Sequence, residues 1–158
     1  MRDARIRPAT PDDLEAMRAL LPRLAEFELP PGRTAEDLWQ GDAETLARWA
    51  AGEEPDCIVL VAEDETHGVV GLALVRLQPE FMSRDPSAHL EAIAIATVAD
   101  GQGLGRRLLR AAEDAAGASG ARSMTLHVFV NNERARSVYD RHGYAGELMR
   151  YVKRFEEE

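Results

Sequence analysis

The fold is decided by the stretch Asp100-Gly101-Gln102-Gly103-Leu104-Gly105-Arg106-Arg107-Leu108-Leu109, which joins a predicted strand to a predicted helix. Its alternate glycines allow a tight turn and a close approach of the backbone to a ligand. The first amides of a helix have no partner inside the helix, and the helix dipole adds partial positive charge there. Together with Arg106 and Arg107, the turn predicts a phosphate or diphosphate site. A glycine-rich turn without a ligand is the alternative.

Two common phosphate-binding motifs are excluded at this turn. A dinucleotide fingerprint that starts at Gly101 needs a last glycine where Arg106 stands, and the ribose-binding acid about 20 residues further on is missing. A P-loop needs Gly-Lys followed by Ser or Thr, which the chain does not contain. The diphosphate carrier therefore belongs to another class.

Outward from this stretch, hydrophobic periodicity predicts the order β-α-α-β-β-β-α-β-α-β. The stretch from Leu90 to Val130 is a βαβ unit, which implies a locally parallel strand pair. We expect an α/β fold with a mixed, mostly antiparallel sheet and helices on both faces, in a single domain over residues 1–158. The predicted strands are Ala4–Pro8, Cys57–Glu63, Val69–Val75, Leu90–Ile95, Ser123–Val130 and Gly146–Phe155. The predicted helices run from Thr10 to Phe27, from Thr34 or Asp42 to Ala51, from Leu104 to Ala116, and from Glu133 to His142; Gln78–Ser87 is predicted to be a loop.

Composition limits the environment and the partners of the protein. The 158 residues carry a net charge of −9, which argues against nucleic acid, and no apolar run is long enough to span a membrane. Cys57 is the only cysteine, so an internal disulfide and a cysteine-rich metal site are excluded, and we expect a cytoplasmic protein. The segment Asp12–Asp56 has 12 acids against 4 arginines. It is either a solvated helical face or a field that attracts a cationic substrate.

Three stretches of the sequence resemble the GNAT superfamily of N-acetyltransferases. Asp100–Gly105 is similar to its acyl-CoA loop, [Q/R]-x-x-G-x-[G/A], and Asn132–Tyr144 is similar to its N-x-x-A-x-x-[F/L]-Y-x-x-x-G-[F/Y] element. The opening Ile6–Asp13 is also typical of the family's first strand and helix start. The resemblance implies transfer of an acetyl group from acetyl-CoA, without a metal, to a primary amine of a small acceptor. It also implies direct attack in a ternary complex, and we expect a homodimer.

The resemblance assigns roles to particular residues. Glu91 is the expected base, acting through water, with Leu90 and Ala92 on the opposite face of its strand; an exposed strand acid is the alternative. Tyr139 is the expected acid, because a phenol with a pKa near 10 is protonated at neutral pH; a core aromatic is the alternative. Cofactor contacts are expected from Ile93, Ile95, Gly101, Gln102, Gly103, Leu104, Gly105, Arg106 and Asn132. Asn132 can equally cap the last helix.

One residue departs from the family pattern. Asp100 stands where similar loops carry Gln or Arg, and a carboxylate cannot donate a hydrogen bond to phosphate. We expect the backbone amides after it to serve, with weaker cofactor binding. Asp100 is also the reason to consider a non-catalytic acyl-CoA sensor on the same fold as the alternative function.

Overall fold

The computed structural model describes residues 4–155, which form two compact units, residues 4–127 and residues 128–155. The first unit holds the whole sheet. Its strands are β1 (Arg5–Pro8), β2 (Cys57–Asp64), β3 (Gly68–Pro79), β4 (Pro86–Ile95) and β5 (Met124–Leu126). Its α-helices are α1 (Leu14–Leu20), α2 (Ala35–Ala50) and α3 (Leu104–Ala118). Among the described residues, no helix is long and apolar enough to cross a membrane.

The strands lie in the order β1-β2-β3-β4-β5, with antiparallel pairs up to β4 and a parallel pair between β4 and β5. This confirms the mixed, mostly antiparallel sheet and the βαβ unit. The parallel pair is short, because it ends at Leu90 opposite Leu126. The predicted strand Ser123–Val130 is therefore reduced to Met124–Leu126.

A one-residue bulge in β4 lies where that pairing ends. Leu74 is opposite Ala92 and Val75 is opposite Leu90, so Glu91 is the extra residue. Bulges bend a strand and increase its twist, which explains why β5 does not follow β4 further. The bulge also puts Ala92 on the same face as the Glu91 carboxylate, since Ala92 packs beside Leu74 in the core. The expectation that Ala92 points to the opposite face from Glu91 is wrong for this reason.

Helices cover both faces of the sheet, as predicted. The core on one face joins side chains of α1 and α2 to those of the strands, among them Met17, Leu46, Val61, Leu72 and Ala94. On the other face α3 packs closely over Gly71. A Cβ atom on that glycine would lie 2.8 Å from Cδ1 of Leu108 and 3.0 Å from Cδ1 of Ile95.

The β3–β4 connection is shorter than predicted. Pro79 and Pro86 are opposite each other at the end of the hairpin, which leaves only residues 80–85 as the loop. Prolines mark a loop in most sequences, but the last pair of a hairpin tolerates them because a ladder hydrogen bond is not needed there.

Proline also changes the first helix. Thr10 and Asp13 form a capping box around the 3-10 helix Pro11–Asp13, and α1 follows directly. Helix α1 ends at Leu20 rather than at Phe27, and Leu21–Ala25 is again 3-10 helical. Pro22 explains the early end, because a proline ring clashes with the preceding turn of an α-helix. Helix α2 starts after Thr34, the earlier of its two predicted starts, with a second capping box.

The second unit contains helix α4 (Glu133–Arg141), close to its predicted bounds. Residues 144–155 are in neither helix nor strand, so the predicted strand Gly146–Phe155 is wrong. A strand needs a neighbour that pairs with it, and no described segment pairs with this one.

Candidate active site

The glycine-rich turn has the backbone that its sequence predicts. Gly101 and Gly103 have φ values of 78° and 74°, in the left-handed region that favours glycine. Gly103 is the N-cap of α3, and its carbonyl accepts the first helical bond from the Arg107 amide, at 3.2 Å. Within the described part of the chain, the amides of residues 101–106 donate to no backbone carbonyl. They remain available to an anion at the positive end of the helix dipole.

The side chains around the turn have different uses. Leu104 is buried, and Gly105 lies against Ile95, 3.8 Å from Cγ1 to the position of a Cβ. The Arg106 guanidinium lies over Gly103 at the exposed side of the turn. Arg107 instead donates to the carbonyl of Ala4 at 2.7 Å, so it ties α3 to the start of β1. Of the two arginines, Arg106 is therefore the one whose guanidinium lies at the turn.

The edge of β4 offers a second set of amides. The Ala96 amide donates to Val70 at 2.8 Å, and hydrogen bonding alternates along an antiparallel pair. Ile93 and Ile95 therefore direct their backbone groups away from β3, toward the side where β5 has already ended. The Ile95 carbonyl confirms this direction, because it accepts a bond from outside the sheet, from Nε of Arg23. The Ile93 and Ile95 amides thus lie along an edge that β5 leaves open.

Glu91 belongs to a charged network on the α1/α2 face. Its Oε1 lies 3.3 Å from Nε of Arg76, and Arg76 also contacts Glu54 at 2.7 Å. Arg48 binds the other oxygen of Glu54 at 3.0 Å. These two arginines hold the pKa of Glu54 below its usual range. Glu91 is only at the edge of the network, and 29% of its side chain is exposed.

Asp42 is a neighbour of Glu91 that the sequence did not single out. Burial, with a smaller contribution from the charge of Glu91, raises the pKa of Asp42 to about 7. The sequence did contain a signal. Trp39, Asp42, Leu46 and Trp49 recur at helical spacing, which places one acid on the apolar side of α2.

His89 lies on the face of Glu91, opposite Arg76 in the ladder. Its Nδ1 is 2.7 Å from Oγ1 of Thr125, and its ring contacts His127 with 4.6 Å between centroids. Burial holds the pKa of His89 below its usual range, so the ring is neutral at pH 7. The side chain therefore adds no positive charge beside Glu91.

The second unit carries Tyr139 and Asn132. Burial raises the pKa of Tyr139, which keeps its phenol protonated at neutral pH. The ring packs edge-on against Tyr144, with 5.7 Å between centroids. Oδ1 of Asn132 accepts a bond from the Ala135 amide at 3.3 Å and caps α4, so the capping role is confirmed.

Other chemistries find less support. Cys57 is buried, and burial raises the pKa of its thiol to about 11, so it is not an activated nucleophile. Within the described residues, no group of three His, Cys, Asp or Glu side chains is arranged to hold a metal ion.

Comparison with known proteins decides the family. The sequence pattern of the acetyltransferase (GNAT) family matches residues 16–144. The chain belongs to the GNAT acetyltransferase family. This GNAT protein is therefore an acyltransferase, and its mixed sheet with helices on both faces matches the fold of that family.

Relatives agree with this assignment. An uncharacterized N-acetyltransferase of Bacillus subtilis, YhfO, is 33% identical over 141 residues, which are 88% of each chain. A point mutant of the BH1408 protein from Bacillus halodurans has a TM-score of 0.76 at 21% identity, over 96% of this GNAT chain and 99% of that one. The aminoglycoside N-acetyltransferase AAC(6')-Iy, solved with CoA, has a TM-score of 0.74 at 18% identity. The match covers 98% of this GNAT chain and 97% of that chain.

Proposed function

We propose that this GNAT protein transfers an acetyl group from acetyl-CoA to a primary amine of a small, cationic acceptor by direct attack in a ternary complex. The observation that carries the proposal is the set of backbone amides at residues 101–106, which have no backbone partner within residues 4–155. They lie at the start of a 15-residue helix, in the turn that resembles the acyl-CoA loop of the GNAT family. Acetyl-CoA supplies the thioester, and the protein supplies binding and proton transfer.

Most of the residues that we propose to hold acetyl-CoA lie in the first unit. We assign the diphosphate to the amides of Gly101, Gln102, Gly103, Leu104, Gly105 and Arg106, with the Arg106 guanidinium beside them. We assign the pantetheine arm and the thioester oxygen to the Ile93 and Ile95 amides. Their direction away from β3 supports this assignment, because an amide bonded to β3 would not be available. Asn132 of the second unit is proposed as a further contact to the pantetheine, a use compatible with its cap.

Two side chains are proposed for proton transfer. Glu91 takes a proton from the incoming ammonium through a water molecule, which its partly exposed carboxylate can contact. Tyr139 gives a proton to the departing thiolate, and its raised pKa means that the phenol still carries that proton at neutral pH. Both assignments rest on chemistry and on the family resemblance.

The cationic acceptor is proposed from charge. Four acids of the segment Asp12–Asp56 are paired with arginines, whereas Asp42 has no ion pair with any described residue. Its charge interacts with that of Glu91, which contacts Arg76 and is partly exposed. An ammonium group suits such a place. If the acceptor is a cation, kcat/KM for polyamine or aminoglycoside amines falls as NaCl is raised from about 50 to about 500 mM, while a neutral amine of similar size is little affected.

A thiol-release assay with acetyl-CoA and a panel of primary amines tests the proposal. We expect release of CoA thiol with at least one cationic amine and none without protein. CoA binding without thiol release under any amine would favour the non-catalytic acyl-CoA sensor. A lack of CoA binding would remove the proposed function altogether. A single catalytic domain, a homodimer and a cytoplasmic location complete the proposal, and gel filtration measures the dimer.

A further inference from the structure

Asp100, the residue that opens the glycine-rich turn, is held by an arginine from a distant part of the chain. Nη2 of Arg23 lies 2.9 Å from Oδ1 and 2.8 Å from Oδ2 of Asp100. The two residues are 77 positions apart in the sequence. A guanidinium that contacts both oxygens of a carboxylate fixes its orientation as well as its charge.

The same guanidinium binds two further groups. Its Nε donates to the carbonyl of Ile95 at 2.8 Å, and its Nη1 contacts Glu26 at 2.6 Å. Arg23 therefore connects the end of β4 to the first residue of the turn. These are the two segments to which the proposed function assigns the acetyl-CoA molecule.

Pro22 explains how Arg23 reaches this position. Because proline ends α1 at Leu20, the following residues form a 3-10 turn at Leu21–Ala25. Leu21 is fully buried, which fixes the turn on the core, and 22% of the Arg23 side chain remains exposed. An α-helix that continued through this segment would direct residue 23 differently, since the two helices have different numbers of residues per turn.

We infer that Arg23 is a positioning residue for acyl-CoA, which neutralises Asp100 and fixes both the end of β4 and the start of the diphosphate loop. The inference rests on the proposed function, because it concerns the same loop. It also explains how the loop tolerates an acid where similar loops carry Gln or Arg. The carboxylate is paired with Arg23, so it does not face the diphosphate as an uncompensated negative charge.

An electrostatic role of Arg23 and a purely structural role predict different effects of mutation on CoA binding, which makes the inference testable. Without Arg23, Asp100 is an unpaired, partly exposed carboxylate next to an anionic ligand, and the ligand is repelled. Without the charge of Asp100, Arg23 keeps its bonds to Ile95 and Glu26, and the net charge of the group becomes less negative near the ligand. If Arg23 served only to stabilise the fold, loss of either partner would weaken binding in the same direction.

Calorimetric titration with CoA of Arg23→Ala, Asp100→Asn and the double variant distinguishes these possibilities. We expect Arg23→Ala to raise the Kd for CoA roughly tenfold. This loss of affinity is expected to be smaller at about 0.5 M NaCl, because salt screens the repulsion. We expect Asp100→Asn to bind CoA as tightly as the natural protein or several-fold more tightly. The double variant is expected to recover most of the loss, because the repelling charge is gone. Arg18→Ala is the matched control, since Arg18 pairs with Glu15 on the preceding helix and is 49% exposed.

Two results would overturn the inference: a double variant that binds as weakly as Arg23→Ala, or an Arg23→Ala protein within twofold of the natural one. Circular dichroism checks that each variant is folded. If Arg23→Ala does not fold, Asp100→Asn alone decides, because a tenfold weaker affinity in that variant contradicts the electrostatic role. Failure of the natural protein to bind CoA is a separate outcome, which removes the proposed function itself.

Discussion

Arg76 and Glu91 lie on one face of neighbouring strands, with 3.3 Å between Nε and Oε1, and Glu91 is the bulged residue of β4. The bulge matters because it brings the carboxylate and Ala92 to the same side of the sheet. Arg76 in turn is fixed by Glu54, so the orientation of Glu91 is set by an arginine that is itself held in place. Glu91 is therefore held in one orientation while part of its side chain stays exposed to solvent.

Replacement of that acid tests the proposed base. We expect Glu91→Gln to lower kcat at pH 7 by about 10²–10⁴, since general base catalysis typically contributes that much. The KM for acetyl-CoA is expected to change little. Initial rates from pH 6 to 10 measure the effect, and Glu63→Gln, which removes another arginine-paired strand acid, is the control. An unchanged rate at both neutral and high pH would eliminate Glu91 as the base.

Tyr139 is tested by removal of one hydroxyl group. Tyr139→Phe is expected to lower kcat about 10- to 100-fold while CoA binding persists, because the departing thiolate loses its proton donor. Since burial raises the pKa of this phenol, activity of the natural protein that depends on its proton should decline only above pH 10. Tyr144→Phe is the matched control, because the two rings are in contact. Full activity in Tyr139→Phe would refute the assignment.

Asp42 makes stability depend on pH. The folded protein keeps the Asp42 proton up to a pKa of about 7, whereas an unfolded chain releases it near the ordinary value of 3.8. Folding is therefore destabilised progressively as pH rises between these values, and the full cost is present above pH 7. Asp42→Asn cannot ionise.

We expect this variant to be more stable than the natural protein by about 1–2 kcal/mol at pH 8, and by less at pH 5. Urea unfolding at the two pH values measures the difference. Glu44→Gln, at an exposed position of the same helix, should have little effect at either pH. A stabilisation by Asp42→Asn that is larger at pH 5 than at pH 8 would contradict the raised pKa.

Close packing of α3 on the sheet gives a prediction for Gly71. An alanine there would bring its Cβ to 2.8 Å from Leu108, although the backbone at this position lies outside the left-handed region. We expect Gly71→Ala to lower the free energy of unfolding by about 1–3 kcal/mol, as overpacking of a core does. Gly117→Ala is the control within α3, where nothing lies within 4 Å and alanine favours the helix. Equal stability of the two variants would contradict the close contact.

Much of the fold could be predicted from the sequence because its local signals agree with its packing. The predicted helix starts at Thr10 and Thr34, the strand periodicity and the glycine-rich turn all correspond to elements that the structure contains. The predictions fail where the local structure depends on pairing with a segment far away in the sequence. The bulge at Glu91 depends on the register with β3, and the segment 146–155 has a strand-like composition but no pairing strand among the described residues.

Only the part of the candidate site that depends on local sequence could be predicted. The backbone amides of the turn follow from glycine spacing, which is local. The Arg23–Asp100 ion pair joins residues far apart in sequence, so neither residue could be assigned its partner in advance. Pro22 did contain a usable signal, because a proline inside an apolar helical stripe marks the end of the α-helix.

The burial of Cys57 has a practical consequence for enzymology. Reagents that titrate liberated CoA react with thiolates, and this side chain is shielded from solvent and stays protonated because burial raises its pKa to about 11. Since the sequence has no other cysteine, the native protein contributes no colour of its own to such a reaction. Slow appearance of one equivalent of signal per chain would then report unfolding, so a single cuvette can monitor turnover and integrity together.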